Sequence, residues 1–301
     1  MLLKILDLGF GIHPIWDLGL RISDWSDFQL VTRNPQRGTG NSSTKELRFP
    51  MNSNNLLINL EGITFRYPGA DPVLEDLDLK FYRGEKMGLV APNGSGKTTL
   101  LHIIMGLLKP EAGQVEIFGQ PVCDEKGFSE VRRRIGLLFQ DSDDQLFSPT
   151  VLEDVTFGPL NLGKPKTEAI DVARKTLAYL GLADFEDRVT FKLSGGEKRL
   201  VSLATVLAME PEILLLDEPI NGLDTTTQEI ITDILAKLEL SYLIISHDID
   251  FLADTTNALY TMQDGRILLD NKLYVHKHVH AHPHGTYPHK HEEKQGKAQS
   301  K

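Results

Sequence analysis

From Leu56 onward the chain carries two kinds of apolar pattern. The stretches "LLINLEGITF" (56–65) and "LDLKFY" (77–82) alternate apolar with polar positions, the period of strands with one face on a core. Elsewhere the apolar residues run together over strand length and are followed by a helical pattern. "KMGLVA" (86–91) ends in a glycine-rich turn and precedes "TTLLHIIMGLL" (98–108). "IGLLF" (135–139) precedes a helix-rich stretch, "EILLLDEP" (212–219) precedes "TTTQEIITDILAKL" (225–238), and "SYLIISHD" (241–248) precedes "IDFLADT" (249–255). Continuous apolar strands that alternate with helices predict an α/β fold whose core is a mostly parallel sheet covered by helices. The alternating strands near the start predict an added antiparallel β layer.

The flanks read differently. Residues 1–54 hold both tryptophans, Trp16 and Trp25, and include the polar run "TRNPQRGTGNSSTKE", which has linker composition. They are expected to be a poorly ordered extension or a non-native start, with Met51 as the alternative first residue. Residues 55–272 are expected to form the folded domain. Residues 273–301 lose all periodicity, and a disordered tail is expected there. The tail contains "VHKHVHAHPHGTYPHKH", with His276, His278, His280, His282, His284, His289 and His291.

Composition narrows the function. A net charge of −10 excludes general nucleic-acid binding, which needs a basic surface. A single cysteine, Cys123, permits no internal disulfide and fits a reducing compartment. No apolar run approaches the ~18 residues that span a bilayer, and "MLLKIL" is cut short by Asp7.

Three motifs carry chemistry. In "GLVAPNGSGKTTL" (88–100), a strand passes through a glycine-rich turn into a helix. A phosphate chain needs closely spaced backbone N–H groups and gains from the positive end of a helix dipole. Ala91, Pro92, Asn93, Gly94, Ser95 and Gly96 form such a cradle. Lys97 would reach the β- and γ-phosphates, Thr98 would ligate Mg²⁺, and Thr99 follows it. The usual pattern begins with glycine where this chain has Ala91, so position 91 must tolerate a Cβ at negative φ. In "EILLLDEP", Asp217 ends a buried strand, where it can hold a magnesium shell through water. Glu218 follows it and can polarise an attacking water. In "LSGGEKR" (193–199), Ser194, Gly195, Gly196 and Glu197 open a helix and make a second anion-binding N-terminus.

With these motifs in this order, residues 56 to about 270 resemble the ATP-binding-cassette (ABC) ATPases. The resemblance implies a P-loop ABC ATPase domain that includes a helical subdomain. It implies that Ser194, Gly195, Gly196 and Glu197 act on the ATP held by the other subunit of a head-to-tail dimer. By the same resemblance Tyr67 in "FRYPG" stacks on adenine and Gln140 in "LLFQ" senses the metal and the membrane partner. Asp224 in "NGLD" lies in the dimer-spanning loop, and His247 in "IISHD" contacts the γ-phosphate. The pair is a homodimer or a heterodimer with a similar ATPase, because one cassette is present.

The segment "FQDSDDQLFSPTVLEDVTFGPLNLG" (139–163) resembles ATPases of energy-coupling-factor importers, particularly the cobalt/nickel group. That branch implies a transmembrane scaffold subunit, a substrate-binding membrane subunit and a peripheral position on the cytoplasmic face of the membrane. Val151, Leu152, Val155 and Phe157 are expected either to form the docking surface or to line the inner face of a helix. Neutral imidazoles bind Ni²⁺ and Co²⁺, so the histidine tail is expected to buffer such metal. The alternatives are the ATPase of a vitamin importer, which the same chain would serve, and a soluble cassette acting on DNA or ribosomes. No heptad repeat separates Thr98 from Ser194 and there is no second cassette, which counts against the soluble reading.

Overall fold

The computed structural model describes residues 55–268. The amino-terminal extension and the histidine-rich tail, with all seven of its named histidines, lie outside the described residues.

The elements run β1 (Leu56–Arg66), β2 (Pro72–Tyr82), β3 (Lys86–Val90), α1 (Lys97–Ile104), β4 (Ala112–Ile117), β5 (Gln120–Pro121), α2 (Glu125–Arg132) and β6 (Ile135–Leu138). Then come α3 (Val151–Asn161), α4 (Lys166–Tyr179), α5 (Gly195–Leu207), β7 (Ile213–Asp217), α6 (Thr225–Lys237), β8 (Ser241–Ser246), α7 (Ile249–Thr255), β9 (Ala258–Gln263) and β10 (Arg266–Leu268). One sheet is four-stranded in the order β2-β1-β4-β5 and its pairs are antiparallel. The other is six-stranded in the order β10-β9-β3-β8-β7-β6. All its pairs are parallel except the edge hairpin of β9 and β10.

The continuous apolar runs are explained by burial on both faces. Within β7 and β8, Ile213, Leu215, Leu243 and Ile245 point into a core shared with the antiparallel sheet and α1. Their neighbours Leu214, Leu216, Tyr242 and Ile244 point into a second core, shared with α3, α4 and α5. Successive strand side chains face opposite ways, so a strand between two cores must be apolar throughout. Truncating one, as in Leu215→Ala, removes about 2–5 kcal/mol. By contrast β1 and β2 bury mostly alternate residues, as their patterns predicted, with the alternation broken by register shifts such as that between Leu60 and Ile63.

Helices α3, α4 and α5 pack on one another and form the helical subdomain. Local sequence sets where two of them begin. Thr150 and Glu153 make a capping box at α3, and Ser194 and Glu197 make another at α5, each satisfying orphan N–H groups of the first turn. Both reveal the S/T-x-x-E spacing. Strands β4, β5, β9 and β10 were not predicted. β9 is mostly half-buried and β10 has three residues, so neither leaves a strong apolar period. No helix among the described residues is long and apolar enough to cross a membrane.

Candidate functional site

The glycine-rich turn lies between β3 and α1 at the carboxyl end of the parallel sheet. Gly94 and Gly96 adopt φ of 81° and 95°, the left-handed region that a side chain resists. A Cβ at Gly96 would sit 2.7 Å from Leu74 and 3.0 Å from the Val73 carbonyl, so the turn packs against β2 only because that position is bare. Gly96 also serves as the N-cap of α1 without a side-chain cap, which leaves the helix's first N–H groups for an anion. Ala91 is buried and is not among the residues with positive φ. Its Cβ is therefore accommodated, as the departure from glycine required.

Two contacts, from Lys97 and Thr98, tie this turn to the end of β7, and a third joins the ends of β7 and β8. Lys97 Nζ donates to Glu218 Oε1 at 3.1 Å and to the Ala91 carbonyl at 3.1 Å. Thr98 Oγ1 donates to Asp217 Oδ2 at 2.7 Å. His247 Nδ1 lies 2.9 Å from Glu218 Oε2. Glu218 itself has φ of 46°, a strained conformation for a non-glycine residue that surrounding structure must hold. The open cleft beside these groups measures about 560 Å³ and is lined by Tyr67, Asn93, Gly94, Gly96, Lys97, Thr98, Thr99, Gln140, Glu218 and His247, together with Val73 and Asn221. Tyr67 stands at its rim, with its hydroxyl 3.1 Å from Thr99 Oγ1.

A second cleft of about 480 Å³ adjoins it, with Thr98, His102, Gln140, Asp141, Asp144 and Asp217 in its walls. Asp217 is 3% exposed, and its Oδ1 is buried without a hydrogen-bond partner. Burial pushes the Asp217 carboxyl above the ordinary range, against the lowering effect of the Thr98 hydroxyl. Burial likewise lowers His102, opposed by the Asp217 charge. An unpartnered acid oxygen beside a hydroxyl and an amide is a donor set that suits a hard cation such as Mg²⁺. No group of three or more His, Cys, Asp or Glu able to hold a metal by themselves occurs among the described residues.

Residues 74–221 match the profile of the ABC transporter family. The chain is 49% identical over 238 residues to a Nitratidesulfovibrio vulgaris protein assigned to the ABC transporter ATP-binding proteins, covering 79% of this chain and 87% of that one. It is 42% identical over 216 residues to the energy-coupling factor transporter ATP-binding protein EcfA of Methanocaldococcus jannaschii, covering 70% and 77%. Among solved structures, cbiO1 of Clostridium perfringens, part of the ABC transporter complex cbiONQ, superposes with a TM-score of 0.64 at 33% identity, covering 71% and 88%.

The chain belongs to the ABC transporter ATPases. It is therefore a P-loop enzyme of the class whose ATP hydrolysis is coupled to transport. Its cassette brings together every cleft residue expected from the sequence except Ala91, Pro92, Ser95 and Asp217, which are not among the lining residues of the larger cleft. Ala91 contributes its carbonyl and Asp217 lies in the adjoining cleft. Ser194, Gly195, Glu197 and Asp224 are absent from both clefts. They form a neighbourhood of their own. Gly196 packs so closely on Thr227 that a Cβ would lie 2.6 Å from its hydroxyl oxygen, and that hydroxyl donates to Asp224 Oδ2 at 2.7 Å.

Arg199 is the buried residue beside the site that motif reading passed over. It is 3% exposed, and its side chain reaches both the Gln140 segment and the Asp217–Pro219 segment of the cassette. Its partners are main-chain carbonyls, which leave no mark in the residue pattern. The expected docking residues divide: Val151 and Val155 are buried in the core, Leu152 is half-buried, and Phe157 is exposed. Phe157 meets exposed Phe147 edge to face at 4.8 Å.

Proposed function

We propose that this cassette is the ATP-hydrolysing subunit of an energy-coupling-factor importer for cobalt or nickel ions. The observation that carries the catalytic part is the convergence of Lys97 and His247 on Glu218 beside a phosphate-sized cradle. Tyr67 stacks on adenine, and the Asn93–Thr99 turn holds the phosphates with Lys97. Thr98, Gln140 and, through water, Asp217 would hold the magnesium that accompanies ATP, which would neutralise charge on the phosphate oxygens. Glu218 takes a proton from the attacking water. The water oxygen bonds to the γ-phosphorus, the bond to the bridging oxygen breaks, and ADP and phosphate result. His247 shares one ring nitrogen with Glu218, which leaves the other for the γ-phosphate.

The signature turn, Ser194 to Glu197, stands apart from its own chain's cleft. Its exposed N-terminus and the Asp224 loop therefore serve the nucleotide of a second cassette, in a homodimer or a heterodimer with a similar ATPase. The pair works with a transmembrane scaffold subunit and a substrate-binding membrane subunit at the cytoplasmic face of the membrane. Exposed Phe147, Phe157 and Leu160 are the apolar surface that suits a helix of the scaffold.

The cobalt or nickel assignment is supported by the 139–163 segment, by the likeness to cbiO1 and by the seven histidines of residues 276–291. The tail is proposed as a Ni²⁺ or Co²⁺ buffer outside the ATPase. Uptake of radiolabelled Co²⁺ and Ni²⁺ by cells carrying wild-type or Glu218→Gln protein tests the whole reading. Loss of uptake in the variant supports it. Unchanged uptake of both ions contradicts the assignment and leaves the vitamin-type importer as the alternative.

A further inference from the structure

Arg199 lies in the second turn of α5, five residues after Ser194, and its head is buried beneath the hydrolytic site. A guanidinium has five N–H donors, and here all five are matched by main-chain carbonyls. Nε donates to Pro219 O at 2.7 Å. One terminal nitrogen donates to Gln140 O at 3.2 Å and, by a shorter contact, to Phe139 O. The other donates to Asp217 O at 2.9 Å and Glu218 O at 2.7 Å. No carboxylate is among these partners. The charge is balanced at longer range by Asp217, Asp141 and Glu218, while burial brings the group down to about 10, so it stays protonated at neutral pH.

This geometry differs from a structural arginine that neutralises one acid. The side chain joins three parts of the cassette at one point: the signature helix, the main chain of Gln140, and the Asp217–Pro219 segment. It holds the carbonyl of Glu218 and those of both its neighbours. Glu218 is the residue in this segment with a strained φ of 46°, and such strain persists only where neighbours over-determine the backbone. Three hydrogen bonds from a charged, buried donor do that, since charge-assisted bonds are about twice as strong as neutral ones. Because the same head grips Gln140, a shift of α5 cannot leave the carboxylate and the Gln140 segment where they were.

We propose that Arg199 is a positioning residue that fixes the backbone of Glu218 and Gln140 to the signature helix, so that contact made at Ser194–Glu197 sets the aim of the hydrolytic carboxylate. The proposal rests on the reading of Glu218 as the base. Its test keeps the two separable.

Arg199→Lys retains the charge but has three donors for five carbonyls. Arg199→Gln retains two donors and no charge. Each is made in the full chain, assembled with its transporter partners, and compared with Glu218→Gln and with the Arg199→Lys/Glu218→Gln double variant. Equilibrium ATP binding reports folding and the cradle, and kcat reports the carboxylate. A misplacement near 1 Å costs about 100-fold in rate. Arg199→Lys is therefore expected to lower kcat by roughly 10- to 100-fold with ATP affinity within about threefold. Adding it to Glu218→Gln is expected to cost little more, because both act through one group. Wild-type kcat in Arg199→Lys overturns the proposal. So does a full additive loss in the double variant, or loss of ATP binding in both single variants, which would make Arg199 a folding residue. Wild-type turnover in Glu218→Gln would instead overturn the assignment of the base, whatever Arg199→Lys does.

Discussion

The ATP cleft and the signature turn use the same residue types in opposite environments. In the cleft, Glu218 and Asp217 are 4% and 3% exposed. Their partners Lys97 and Thr98 lie 121 and 119 positions earlier in the sequence, and burial raises Asp217. At the signature turn, Ser194 is exposed, and the carboxylates bond mainly to near neighbours in sequence, Glu197 to Ser194 and also to Arg188 nine residues back, and Asp224 to Thr227. Those local hydrogen bonds lower Glu197 and Asp224. The cleft is organised by long-range pairing inside one chain. The turn is shaped largely by short-range caps and faces outward, as its proposed action on a second cassette requires.

The difference is sharpened most by Glu218→Gln. It should lower turnover by about 10²–10⁴-fold, the usual weight of a general base, while ATP still binds. Single-turnover hydrolysis in the assembled transporter measures it. Next in size is Gly196→Ala. The new Cβ meets Thr227 Oγ1 at 2.6 Å, so the Thr227–Asp224 bond must give way, and overpacking of this kind costs about 1–3 kcal/mol. Thermal unfolding would show it, and an unchanged Tm would deny the close packing of the two loops.

Ser194→Ala is smaller. It removes one capping bond from α5, about 1 kcal/mol, or a Tm decrease of roughly 2–4 °C in a domain of this size. The smallest effect is read without mutation, by NMR titration of the carboxyls. Asp217 should titrate above the ordinary 3.8, and Glu197 and Asp224 below 4.5 and 3.8. The signs are opposite for stability. Glu197 and Asp224 stabilise above their unfolded values and lose that as pH falls through the folded ones. Asp217 favours folding below its unfolded value and loses that as pH rises through its folded one. Shifts of the same sign at all three would erase the contrast.

The two regions were also unequally legible in the sequence. The phosphate cradle was readable because bare backbone at Gly94 and Gly96 must be encoded as glycine, and the carboxylate pair because it ends an unbroken apolar strand. The signature turn was readable as a serine and two glycines opening a helix, though its capping box was not. What joins the regions was not. Arg199 sits within a quoted motif, yet its proposed role depends on five carbonyls presented by the end of β7 and the loops after β6 and β7, and carbonyls belong to every residue. Resemblance could not divide Val151 and Val155 from Phe157 either, since one face of α3 is buried and the other is not. The β9–β10 hairpin did leave a signal, the Asp264-Gly265 pair with φ of 49° and 71°, a turn type that favours such residues.

The central claim is that the signature turn acts on the nucleotide of another chain. Gly195 provides the cleanest handle, because a Cβ there would meet nothing within 4 Å and its φ is not positive. Gly195→Glu therefore fits the fold and keeps the Ser194–Glu197 cap, while setting a carboxylate where a phosphate of the partner would come. The measurement is ATP affinity of the isolated chain beside ATP turnover of the assembled transporter. Unchanged affinity with turnover reduced at least about tenfold, the effect of ~1.4 kcal/mol at the transition state, is the predicted result. Wild-type turnover, or weakened binding by the isolated chain, would contradict it.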